Sequence, residues 1–189
     1  MQRLAVYCGS SMGAKPAYAQ CARDLGAEMA ARGIDLVYGG GKLGLMGIVA
    51  DTVLNAGGKA YGVIPEALRD HEVAHKGLTE LYVVKDMHER KAKMTELTDA
   101  FVAIPGGIGT LDELFEAWTW RSLGYHDKPF ALLDVEGYWY HLSRFLDGVT
   151  DQKFMSKQRR QLLIEGDDIS HVLDDLSAAC GQKGDTMIW

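Results

Sequence analysis

Two groups of residues in this chain have types and spacings that could do chemistry. The first is HEVAH, residues 71–75. On a helix, His71 and His75 would stand one turn apart as zinc ligands, with Glu72 as general base. The second group is spread more widely. MHERK (87–91) sets Arg90 beside Lys91, and PGGIGTLDE (105–113) ends on Glu113. Gly106, Gly107, Gly109 and Thr110 offer N–H groups and a hydroxyl to a phosphate, and Glu113 follows in the first turn of a helix. The plainer reading of Glu113 is a carboxylate that complements the helix dipole. The plainer reading of Arg90 and Lys91 is a solvated charged face; the sharper one sets them across a cleft from an anion.

Elements must hold these residues in place. Apolar runs at 4–8, 34–39, 59–64, 78–84, 99–104, 129–134 and, more weakly, 161–166 are short and apolar on both faces. That is how parallel strands buried under helices read. Helical patterns fit between them at 18–32, 45–55, 87–97, 111–122, 140–152 and 169–179. Asp86 can cap the third, with Glu89 three residues on. The alternation predicts an α/β fold: a Rossmann-like doubly wound parallel sheet of six or seven strands flanked by helices. One domain spans 1–189, with no repeat, linker or low-complexity tract.

The strand-to-helix turns are unusual in composition. CGSSMGAK (8–15), YGGGKLGLMG (38–47) and IPGGIGTLDE (104–113) each place glycine after a strand and before a helix. Glycine lets the backbone turn sharply and approach a ligand. Gly39, Gly41 and Gly44 spell the dinucleotide pattern, yet the run at 59–64 offers no carboxylate for a ribose. The Walker A pattern fails too, since Leu43 and Leu36 stand where it needs Ser or Thr and Gly. Tight turns with close helix–sheet packing explain any one of these loops. Three along one sheet point to a phosphate or sugar-phosphate site.

The totals narrow the class. The chain has 189 residues, a formal net charge of −6 and three cysteines at wide spacing. That charge argues against a broad nucleic-acid or anionic-membrane surface. Cys8, Cys21 and Cys180 make neither a disulfide framework nor a Cys-x-x-Cys site. No stretch reaches membrane-span length and no signal peptide is evident. The expectation is a cytoplasmic protein.

CGSS, YGGGKLGLMG, GVIP, MHERK, PGGIGTLDE and YHDKP (125–129), in this order, resemble the LOG family of cytokinin riboside 5′-monophosphate phosphoribohydrolases. The resemblance covers roughly residues 3–150. It implies a Rossmann-like homodimer that cleaves the N-glycosidic bond of a nucleoside 5′-monophosphate, with no cofactor and no metal. It implies Arg90 and Glu113 as the catalytic pair. It implies substrate contacts from Ser10, Glu72, Met87, Lys91, Gly106, Gly107, Ile108, Gly109, Thr110, Leu111, Asp112 and Thr119. Glu72 then reads as a ligand contact, flanked by histidines through coincidence. The interval from Pro65 to Gly77 is also too short for the long active-site helix of a zinc peptidase, although His88 or Glu89 has the spacing of a third ligand. Ile108 and Asp112 stand where tyrosine and glutamate are common in the family, which bears on substrate preference rather than on reaction class. The competing class is a binding module of the same fold that carries a nucleotide or phosphorylated cofactor without turnover.

Overall fold

The computed structural model describes residues 1–69 and 73–181. Seven parallel strands form its sheet: β1 (Arg3–Tyr7), β2 (Asp35–Tyr38), β3 (Ala60–Pro65), β4 (Glu80–Val84), β5 (Ala100–Ala103), β6 (Phe130–Leu133) and β7 (Leu163–Gly166). Their order is β4-β3-β2-β1-β5-β6-β7. All seven apolar runs become strands. Six of the helices match expected segments: α1 (Pro16–Ala31), α2 (Gly44–Asn55), α3 (Met87–Leu97), α4 (Ile108–Ser122), α5 (Tyr140–Asp151) and α7 (Ile169–Ala179).

Side chains alternate across each strand, so both faces of the sheet need cover. Leu4, Val6 and Cys8 pack under α1, α2 and α7, with Leu25, Met29, Val49 and Leu173. Ala5 and Tyr7 face the other way, under α3, α4 and α5, with Met94, Leu114, Trp118 and Leu146. At the centre of the order β5 is buried throughout and β1 is buried after Arg3, whereas the edge strand β4 is half-exposed.

Three local differences have simple causes. α4 begins at Ile108, three residues before the expected Leu111, because Gly107 is its N-cap. The first N–H groups of a helix need no intrahelical acceptor, so the glycine-rich GIGT run can still form its opening turn. Two short elements escape the periodicity. They are α6 (Lys157–Arg160), capped by the Ser156 side chain, and a 3₁₀ turn at Glu66–Leu68. Both span too few residues to show a repeat. Asp86 caps α3 as expected, accepting from the Glu89 N–H at 3.0 Å. Glu89 reaches back to the N–H of Lys85, one residue earlier than a capping box would have it.

His126 lies against Phe101 beneath the sheet, its Nδ1 accepting from the Lys128 N–H. Burial pushes its pKa down to about 4, aided by the charges of Lys128 and Arg121. An unfolded chain protonates this ring near pH 6.5. Between those two values the unfolded state holds the extra proton, so stability falls as the pH drops. Urea titrations across pH 4–6.5 should show a shallower pH slope for His126→Phe than for the unchanged chain. Equal slopes would remove His126 as the cause.

Candidate active site

From β1 the chain runs outward through β2, β3 and β4, then restarts with β5 on the other side of β1. At such a switch point the loops diverge and leave a crevice at the carboxyl ends of the strands. Here the three glycine turns meet. Gly9 joins them: its N–H donates to the Pro105 carbonyl at 3.1 Å, and its carbonyl accepts from the Leu45 N–H at 3.0 Å.

Close approach dictates two of the glycines. Gly44 has φ +60°, and a Cβ there would lie 2.3 Å from the Ser10 carbonyl carbon. A Cβ on Gly106 would lie 2.0 Å from Thr110 Oγ1 and 2.8 Å from the Gly9 nitrogen. Gly107 and Gly109 are different. Both are exposed, neither has a positive φ, and a Cβ on either meets nothing within 4 Å. No packing contact calls for glycine at these two positions, whereas a ligand brought against the backbone would. Gly107 also leaves α4 without a side-chain cap, so the opening N–H groups of that helix are not used by one.

Arg90 and Lys91 do not form a solvated face, since both are buried. A buried cation needs partners. Arg90 donates from Nη2 to the Gly39 carbonyl at 3.0 Å, and its Nη1 lies 3.8 Å from Met87 Sδ. It therefore reaches from α3 into the second glycine turn. Lys91 turns instead to α4, with Nζ 2.9 Å from Glu116 Oε2 and 3.1 Å from Asp112 Oδ2. Burial acts to lower its pKa, but the hydrogen bonds it donates to Glu116 and Asp112 outweigh it and the net shift is upward. Lys91 is thus a fixed ammonium that joins α3 to α4, and its charge is directed at carboxylates rather than at the glycine cradle.

Glu113 is half-buried in the first turns of α4. Its field is felt at the end of β1. The Tyr7 phenol is pushed well above its usual range by burial and then by Glu113 and Glu116, with Arg90 acting oppositely. The Cys8 thiol is raised by burial and then by Glu113. Carboxylate and guanidinium thus both bear on the carboxyl end of β1, beside the open glycines.

The other expected contacts lie on several elements. Ser10, Met87 and Ile108 are exposed, on the first turn and at the starts of α3 and α4. Thr110 is buried beneath Gly106, and Leu111 is half-buried against the core. Thr119 stands apart. It lies six residues beyond Glu113, about 240° around the helix. It lines an apolar cavity of 270 Å³ with Phe115, Trp118, Leu146 and Met155. Glu72 and His71 lie outside the described residues.

The rest of HEVAH does not support a zinc helix. Val73 has φ 48°, and Ala74 bridges antiparallel to Gly41. Both ring nitrogens of His75 are engaged: Nδ1 accepts from the Gly77 N–H at 3.0 Å, and Nε2 lies 2.8 Å from Asp51 Oδ1. Its backbone N–H donates to the Gly40 carbonyl, so this segment is fastened to the second glycine turn.

Sequence reasoning missed Glu116, Tyr7 and Tyr138. Asp112 and Glu116 are four apart on one helix face, a spacing that could have marked a shared cation. Tyr138 donates its hydroxyl to the Gly106 carbonyl at 2.5 Å from 32 residues away, and no local pattern signals that contact.

Known proteins resemble the chain in both sequence and fold. A family model described as "Possible lysine decarboxylase" matches residues 46–176. The probable cytokinin riboside 5′-monophosphate phosphoribohydrolase LOGL6 of Oryza sativa subsp. japonica is 45% identical over 177 residues, 94% of this chain and 71% of that protein. Cytokinin riboside 5′-monophosphate phosphoribohydrolase LOG1 of Arabidopsis thaliana is 47% identical over 163 residues, 86% of this chain and 76% of that one. The Moco carrier protein from Chlamydomonas reinhardtii superposes with a TM-score of 0.71 at 19% identity, covering 94% of this chain and 96% of that chain. That last likeness is one of fold alone. The relatives alike in sequence go further, and with them the chain belongs to the LOG family of phosphoribohydrolases.

Proposed function

We propose that this protein hydrolyses the N-glycosidic bond of adenosine 5′-monophosphates, including N6-substituted ones, releasing the free base and ribose 5-phosphate. The observation that carries this reading is Arg90 and Glu113 brought from separate helices to the switch point, beside two glycines whose surroundings leave room for a ligand. The names of the relatives support the same reaction.

The opening N–H groups of α4 receive the 5′-phosphate, aided by the positive end of the helix dipole. Glu113 sits beside the ribose. As the bond from C1′ to the base lengthens, positive charge grows on the sugar, and the carboxylate stabilises it or directs water to C1′. Water supplies hydroxide to C1′ and a proton to the departing base. Arg90 stays protonated and orients substrate and carboxylate; it is not a base. Met12, Leu43, Met87 and Ile108 are exposed apolar residues on the surrounding turns. They give an apolar substituent on the base something to rest against. Decarboxylation through an imine would need a neutral lysine amine, and Lys91 is held as an ammonium.

The protein works as a cytoplasmic homodimer in this reading. The exposed Phe145 on α5 and Phe154 just after it support self-association.

Incubation with AMP, with and without EDTA, tests the activity. Adenine and ribose 5-phosphate should appear at the same rate in both, and adenosine should remain intact. Binding without release, from both AMP and N6-isopentenyl-AMP, would replace the hydrolase with a carrier.

A further inference from the structure

The loop that follows β6 is built more firmly than its sequence requires. Asp134 accepts from the Gly137 N–H at 3.0 Å and from the Trp139 N–H at 2.8 Å. Trp139 is buried and donates from Nε1 to the Leu133 carbonyl. Glu136 pairs with Lys15 of the first glycine turn at 2.9 Å. Tyr138 packs edge-on against Tyr18 of α1, with ring centroids 5.4 Å apart. All of this fixes one phenol, whose hydroxyl donates to the Gly106 carbonyl.

The peptide concerned joins two glycines, Gly106 and Gly107. With no Cβ on either side, it has little steric resistance to flipping. In a trans peptide the carbonyl and the following N–H point in opposite directions. A carbonyl turned towards Tyr138 therefore turns the Gly107 N–H away from Tyr138. In the flipped peptide the carbonyl oxygen would take that place and repel an anion.

Resting on the phosphate cradle proposed above, we propose that Tyr138 is a positioning residue: its hydroxyl holds the Gly106 carbonyl out of the cradle and so keeps the Gly107 N–H aimed at the substrate phosphate. Tyr138 touches neither the ribose nor the base in this role. Its effect is confined to the part of the substrate that carries the charge.

The test is Tyr138→Phe, which keeps the ring against Tyr18 and removes only the hydroxyl. Calorimetric titration should show AMP binding weakened on the order of tenfold, the worth of one hydrogen bond to a charged group. Adenosine, which lacks the phosphate, should bind as it does to the unchanged protein. KM for AMP should rise with kcat nearly constant, because a contact made equally in ground and transition states is lost. Tyr140→Phe, which removes an exposed phenol from α5, controls for the loss of a hydroxyl as such. AMP affinity in Tyr138→Phe equal to that of the unchanged protein would overturn the role. Equal weakening of AMP and adenosine would overturn it too, since that marks a general loosening of the loop. With the titrations run in the Glu113→Gln background, binding is read without turnover, so failure of the hydrolase reading and failure of this role are told apart.

Discussion

Glu113→Gln should bind AMP with an affinity within about threefold of the unchanged protein and lose turnover by on the order of 10³-fold. The reason lies in what the substitution removes. Glutamine keeps the shape of the side chain and its place in the first turns of α4, so the cradle formed by Gly107 and Gly109 is untouched. It removes the negative charge that faces the growing positive charge on the ribose. Near-normal AMP hydrolysis in Glu113→Gln would end the assignment of the carboxylate.

Gly39→Ala and Gly107→Ala should fail in opposite ways. A Cβ on Gly39 would lie 2.1 Å from Arg90 Nη2. Gly39 has no positive φ, so the backbone accepts alanine and the conflict falls on the guanidinium. Arg90 is only 4% exposed and has little room to swing aside. Its displacement by about 1 Å should lower kcat on the order of 10²-fold. Gly107 has open space around it, with φ −95°. Alanine there should leave the melting temperature within a few degrees and weaken AMP binding, because only the ligand meets the new methyl. Kinetics beside calorimetry separates the two patterns. Full activity in Gly39→Ala would mean that Arg90 does not act from its observed position. Unaltered AMP affinity in Gly107→Ala would mean that the cradle is not where the phosphate sits.

Much of this was legible in the residues. Buried parallel strands are short apolar runs, and the seven runs from 4–8 to 161–166 became β1 to β7. The period-3.6 patterns and the Asp86 cap located the main helices, because amphipathicity and capping are local properties. The glycine turns stood out because phosphate binding needs close backbone approach, and the family resemblance singled out Arg90 and Glu113 as a pair. The tertiary structure alone decided how they are used. It buried Arg90 against Gly39 and gave Lys91 to Asp112 and Glu116, where the chain by itself allowed a solvated pair. It fastened His75, the last residue of HEVAH, to Asp51 and Gly40. It set Thr119 in the apolar cavity with Leu146 and Met155, and brought Tyr138 to Gly106. Spacing along a chain fixes which face of a helix or strand a residue occupies. Which distant carbonyl or carboxylate waits at that face is set by how the sheet orders its strands, and no local pattern encodes that order.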